Sequence, residues 1–148
     1  MNIKTCLLKI ADAEDDASIL YHNYSQNCSE RLKPVLLAFS KEEATHKFEV
    51  LELAAYAEFD KKYLHEDAKK FLLKQLANAN GNSDSLNFAI DKDFFKYALQ
   101  LEKNSIEIYR CLMEVLQSES YGYDKLGEMI NTEKRHMLYI LNQLYELK

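Results

Sequence analysis

Ser40-Lys41-Glu42-Glu43-Ala44-Thr45-His46 and Asn131-Thr132-Glu133-Lys134-Arg135-His136 are the stretches that decide how this chain folds. Each contains Glu-x-x-His, and 90 positions separate Glu43 from Glu133 and His46 from His136. Residues three apart share one face of a helix, so each motif aims a carboxylate and an imidazole at one point. A second matched pair lies further out. Tyr21 follows Glu14 by 7 residues, Tyr109 follows Glu102 by 7, and 88 positions separate the two copies. Seven residues span about two helical turns, which stacks each tyrosine over its glutamate. One Glu-x-x-His alone is usually two solvated side chains. The full matched set in both halves demands a common design.

Three glycines and one proline in 148 residues leave too few turn formers for a sheet protein. Pro34, Gly81 and Gly122 separate four segments with helical periodicity, and Gly127 lies inside the last. The first helix is expected over about 2–27, with Ile10, Ala13, Ala17, Leu20 and Tyr24 on one face. The second starts near Pro34, whose missing N–H suits a first turn, and runs to about 59 through Leu36, Phe39, Leu51 and Ala54. The third spans about 91–117 with Asp91 as its N-cap. Its apolar face is Phe95, Ala98, Leu101, Ile108 and Leu112. Asp124 is the expected cap of the fourth, with Leu126, Ile130, Met137, Ile140, Leu141 and Leu144 on its inner side. The short links predict two antiparallel hairpins. The connection over about 60–90 carries a short helix near 65–76 and a polar loop at 78–85. Its length suits a crossover between parallel second and third helices. The expected fold is all-α: an antiparallel four-helix bundle of two hairpins with a long crossover, one domain over residues 1–148.

Composition narrows the function. Apolar residues make up 47% and charged residues 29%, a globular balance, and the net charge is −5. An acidic chain without a basic face lacks the means to release counterions from nucleic acid. No apolar run reaches membrane-spanning length, and the first residues lack the flanks of a signal peptide. Cys6, Cys28 and Cys111 form no CxxC pair and read as reduced thiols in or near the core, which places the protein in the cytoplasm.

Four glutamates converging on a helical core would repel one another and lose hydration. Two divalent ions cancel their charge. One Glu from each of two helices and a Glu-x-x-His from each of the others is the ligand set of ferritin-like di-iron proteins.

The chain accordingly resembles the rubrerythrin-like branch of the ferritin-like superfamily. Residues 10–21, 40–46, 98–109 and 131–136 are similar to that branch's first, second, third and fourth helices. The resemblance implies a ferritin-like bundle in which Glu43 and Glu133 bridge two iron ions. Glu14 and Glu102 would be terminal carboxylates, and His46 and His136 would take one ion each. Manganese or zinc would be substitutes. Two departures stand out. Rubrerythrins carry a Cys₄ iron domain, whereas this chain has no CxxC, so electrons would come from a separate protein such as a rubredoxin. Ser105 stands where many rubrerythrins have a second third-helix glutamate, which brings the ligand set nearer the bacterioferritin pattern. Haem binding is unsupported, since helix 2 has no methionine; Met113, Met129 and Met137 read as fillers.

The expected function is reduction of hydrogen peroxide or dioxygen at a di-iron centre. The alternatives are a ferroxidase or iron-storage protein and a metal-free interaction bundle. No fifth helix is expected after Lys148, which weighs against a storage cage. A homodimer is expected, with no nucleic-acid or membrane partner. Tyr21 and Tyr109 read as core residues whose hydroxyls bond a carboxylate beside the centre. His22 and His65 read as solvent or interface residues, and Glu42 and Glu49 as solvated carboxylates.

Overall fold

The computed structural model describes residues 2–55, 65–79, 88–116 and 120–147. It is all-helical: α1 (Ile3–Ser25), α2 (Lys33–Ala54), α3 (Glu66–Ala79), α4 (Asp91–Val115) and α5 (Tyr121–Glu146), with no strand among the described residues. The chain falls into two compact units, residues 1–84 and 85–148, divided within the crossover.

In the first unit Asn2 caps α1, its side chain accepting from the Thr5 amide at 2.8 Å. Pro34 lies in the first turn of α2, where its ring costs no hydrogen bond. α1 packs along α2, and α3 makes a smaller contact with α1. The α1–α2 pair is antiparallel. Asp15 meets Lys47 at 3.1 Å, Ser18 meets Ser40, and the Tyr21 ring sits edge-on to Phe39 at 5.5 Å. Partners fall in number along α2 as they rise along α1. The two serines exchange bonds: Ser18 Oγ donates to the Ser40 carbonyl at 2.9 Å and Ser40 Oγ to the Ser18 carbonyl at 2.8 Å. Cys6, Leu7, Ile10, Leu20 and Tyr21 bury against this seam, as do Leu36, Phe39, Val50 and Leu53 of α2. Each such side chain contributes about 1.5–3 kcal/mol of burial.

The second unit is the hairpin of α4 and α5. Glu102 meets His136 near its middle, and a Cβ placed on Gly127 would touch Met113 near the link. This too is an antiparallel register. The halves repeat in their buried positions. Cys6, Leu7, Ile10, Glu14, Leu20 and Tyr21 correspond to Phe94, Phe95, Ala98, Glu102, Ile108 and Tyr109, all buried. Leu36, Phe39, Ser40, Glu43, His46 and Val50 correspond in the same way to Leu126, Met129, Ile130, Glu133, His136 and Ile140.

Several local expectations are corrected. Asp91 does not cap α4; Ile90 holds the cap position in extended backbone, and Asp91 and Asp93 fall in the first turn, where the helix dipole favours carboxylates. Asp124 does not cap α5. Ser120 does, accepting from the Tyr123 amide at 3.1 Å, so Gly122 is a buried first-turn residue instead of a separator. Leu141 is exposed, and Met137 and Leu144 are half-buried; the inner stripe runs through Met129, Ile140 and Gln143 instead. Ala13, Ala17, Tyr24 and Leu51 are likewise half-buried. α2 ends at Ala54, and the expected continuation to 59, the loop at 80–85 and position 117 lie outside the described residues. Cys6 is buried, Cys28 and Cys111 are half-buried, and none of the three forms a disulfide.

The cap assignment has a measurable consequence. Ser120→Ala should lower the unfolding free energy by about 1 kcal/mol through loss of an N-cap acceptor. Asp124→Ala should cost at most about half as much, because only a first-turn charge is removed. Urea unfolding of the two variants distinguishes them, and the opposite ranking would restore Asp124 as the cap.

Candidate metal centre

Each hairpin assembles its own cluster of two carboxylates and one imidazole. In the first unit α1 supplies Glu14 and α2 supplies Glu43 and His46. His46 Nδ1 lies 3.7 Å from Glu14 Oε2 and 3.8 Å from Glu43 Oε2. In the second, α4 supplies Glu102 and α5 supplies Glu133 and His136. His136 Nδ1 lies 3.3 Å from Glu102 Oε1 and 3.8 Å from Glu133 Oε2. All six are buried, none more than 4% exposed.

These side chains meet for a local reason. The i,i+3 spacing puts each glutamate beside its own histidine. The antiparallel register then brings the lone glutamate of the neighbouring helix to the same depth. Tyr21 and Tyr109 lie two turns on from those glutamates and are fully buried. His22 and His65 are exposed, in line with their reading as solvent residues.

The donor set fits a metal ion. Donors sharing one ion at about 2.0–2.2 Å lie about 3–4.3 Å from each other. The imidazole–carboxylate distances of 3.3, 3.7 and 3.8 Å fall inside that window. Carboxylate oxygen and imidazole nitrogen suit iron, manganese and zinc. Each cluster could therefore hold an ion. No known protein family, characterised protein or solved structure matches the chain. The chemistry must be read from these residues themselves.

The first cluster shows what burial does to the donors. Burial first, then the negative charge and hydrogen bond of Glu43, with His46 offsetting part of the rise, hold the Glu14 carboxyl up at about 8. Burial alone would lower His46, but hydrogen bonds and attraction from Glu14 and Glu43 outweigh it and raise the imidazole to about 10. Near neutral pH the metal-free cluster therefore keeps a proton on both groups. Those protons do the work a cation would do, and metal binding must displace them.

Four buried polar positions, Ser25, Ser40, Asn104 and Gln143, have no role assigned by the sequence. Ser40 and its partner Ser18 form the exchanged pair one turn from the first cluster; their counterparts in the second hairpin are Ile106 and Ile130. Asn104 is buried and accepts from Gln100 Nε2 at 2.9 Å. Gln143 is buried seven residues beyond His136, where the first hairpin has Leu53. The heptad step from His136 is the signal that would have found Gln143.

A pH dependence follows. Glu14 and His46 both hold protons more tightly folded than unfolded. Their stabilising contributions are complete below the unfolded values of 4.5 and 6.5 and are lost as pH rises through about 8 and about 10. Metal-free protein should lose stability as pH rises, most steeply between 6.5 and 8, where both groups are protonated only when folded. Glu14→Gln should flatten the low-pH part of this fall. Urea unfolding across the range checks it; a metal-free stability that rises with pH through the window would contradict the proton assignment.

Proposed function

We propose that the protein is a di-iron carboxylate oxidoreductase of the rubrerythrin-like branch of ferritin-like proteins, reducing hydrogen peroxide or dioxygen. One observation carries the reading: a buried cluster of two carboxylates and one imidazole occurs once in each of two repeated hairpins. Burying four carboxylates is costly unless cations compensate them. A metal-free bundle would be better served by apolar residues of similar size.

In this proposal the hairpins are the halves of one ferritin-like four-helix domain. Glu14, Glu43 and His46 of the first hairpin and Glu102, Glu133 and His136 of the second would hold the ions, the carboxylates supplying charge and each imidazole one neutral donor. When bound, two ferrous ions supply the two electrons that reduce peroxide to water. The chain's own residues orient and enclose: the four carboxylates neutralise the ions, the imidazoles set their positions, and the buried Tyr21 and Tyr109 keep water from one side. Electrons return from a separate donor protein, since the chain has no CxxC motif. Ser105, in place of a second third-helix glutamate, favours the ferroxidase alternative and gives it standing as the second reading.

Metal analysis of anaerobically prepared protein should find about two iron or manganese ions per chain. The Glu43→Ala, Glu133→Ala double variant should lose both. Wild-type protein that takes up neither metal, or equal uptake by the variant, would sink the proposal. Zinc alone in a recombinant sample does not count against it, because zinc competes well for such donors.

Stopped-flow oxidation of the di-ferrous protein separates the two readings. Peroxide should react at least as fast as dioxygen at equal concentration. A tenfold advantage for dioxygen, about 1.4 kcal/mol in barrier, would replace the peroxidase reading by the ferroxidase one.

A further inference from the structure

Gly127, Asn131, Lys134, Leu138, Leu141 and Tyr145 follow one another along α5 at steps of 4, 3, 4, 3 and 4 residues. That spacing is the seam of a two-stranded coiled coil. At 3.6 residues per turn the six fall within about a quarter of the helix circumference. Leu138 is 61% exposed, Leu141 41% and Tyr145 71%, whereas Glu133 and His136 are buried on the other side of the helix.

The two ends of this stripe have opposite shapes. At one end Gly127, Ile130, Asn131 and Lys134 line a groove of about 650 Å³, together with Met113 of α4. At the other end stands the largely exposed Tyr145 ring. Gly127 and Tyr145 are 18 residues apart, which is five full turns. Hollow and ring therefore lie on one line of the helix, about 27 Å apart. The first hairpin repeats neither feature. At the positions 90 residues earlier, Leu37 stands in place of Gly127 and Ala55 in place of Tyr145.

We propose that this face of α5 pairs antiparallel with the same face of a second copy, each Tyr145 seated in the other copy's groove. The pairing draws on the second hairpin alone and needs no metal. A knob in such a seam enters the hole between residues i, i+3, i+4 and i+7 of the facing helix. Gly127, Ile130, Asn131 and Lys134 are such a set, and all four line the groove. A larger residue at Gly127 would fill the hollow, since even a Cβ there comes within 3.7 Å of Met113 Cε. Seating Tyr145 in this hole fixes the register and brings Leu138 of both copies together at the two-fold axis. The axis makes every contact twice.

Charge and shape select the occupant and its direction. In this register the two Lys134 side chains start about 11 Å apart along the seam, about one Debye length. Each lays its stem beside Leu141 and Tyr145 of the other copy. A parallel pair would set Lys134 on Lys134 and Gly127 on Gly127, leaving the hollow unfilled. A different protein would have to supply both a ring and a hollow at the same spacing. A second copy supplies both.

Sedimentation of the full chain at rising concentration should show a monomer–dimer equilibrium. Tyr145→Ala and Gly127→Leu should each weaken it at least tenfold. The double variant should lose little more than either single one, because ring and hollow make one contact. Helix content by circular dichroism should stay unchanged, which separates lost pairing from lost folding. Leu138→Cys should give a disulfide-linked dimer on mild oxidation, above the background that Cys6, Cys28 and Cys111 set in the wild type. Phe48→Cys, at the repeat-related position and 68% exposed before substitution, should not. A wild-type chain that stays monomeric at every concentration would overturn the assignment. So would additive losses in the double variant, or cross-linking at Phe48→Cys with none at Leu138→Cys.

Discussion

The structure depends on one electrostatic constraint: in each hairpin two carboxylates are buried against a single imidazole. Water is excluded from all six groups, so their charge must be balanced locally. In the first cluster the balance is reached by protons, with Glu14 raised to about 8 and His46 to about 10. A divalent ion achieves the same balance with stronger, directed bonds. The hairpin is built around that choice. Its apolar seam supplies the low dielectric that makes an uncompensated carboxylate costly, and its register supplies the partners that relieve the cost.

The two hairpins answer the constraint with different surroundings. Around the first cluster the seam is polar, with Ser18 and Ser40 exchanging hydrogen bonds and Asp15 pairing with Lys47 at 3.1 Å. The second places Ile106 and Ile130 where those serines stand and brings His136 to 3.3 Å from Glu102. The shared plan with diverged supports sets two like donor sets in unlike environments. The supports also explain where stability resides. Exchanged serine bonds and a half-exposed ion pair contribute modestly, whereas the flanking rings Tyr21, Phe39, Phe94, Phe95 and Tyr109 carry the larger burial term.

Much of this was legible in the chain. The scarcity of glycine and proline and the 3.6-residue spacing of apolar positions specify helices. The duplicated Glu-x-x-His and Glu-x₆-Tyr single out six acidic and imidazole side chains, which the structure buries and gathers three to a hairpin. The errors fall at helix ends and on the outer flank of α5. Asp91 and Asp124 are good cap residues, yet a serine four residues upstream won at α5 and α4 starts with no side-chain cap. Local propensity ranks caps but does not choose among neighbours only a turn apart. Leu141 and Leu144 were expected inside, and Gln143 took the inner place because the stripe from Ile130 through His136 continues to it.

The sequence by itself determined the elements, the repeat between halves and which carboxylates and imidazoles share a helix face, because helix periodicity places side chains on a face without reference to any neighbour. Only the tertiary structure decided which residue faces which: Glu14 opposite His46, Ser18 opposite Ser40, Glu102 opposite His136. Register across a hairpin depends on how its link closes and how its side chains interlock, quantities spread over the whole seam. Burial follows from that register, and with it the protonation of Glu14 and His46. The helix sets which groups can meet, and the dryness of the seam sets the charge they hold when they do.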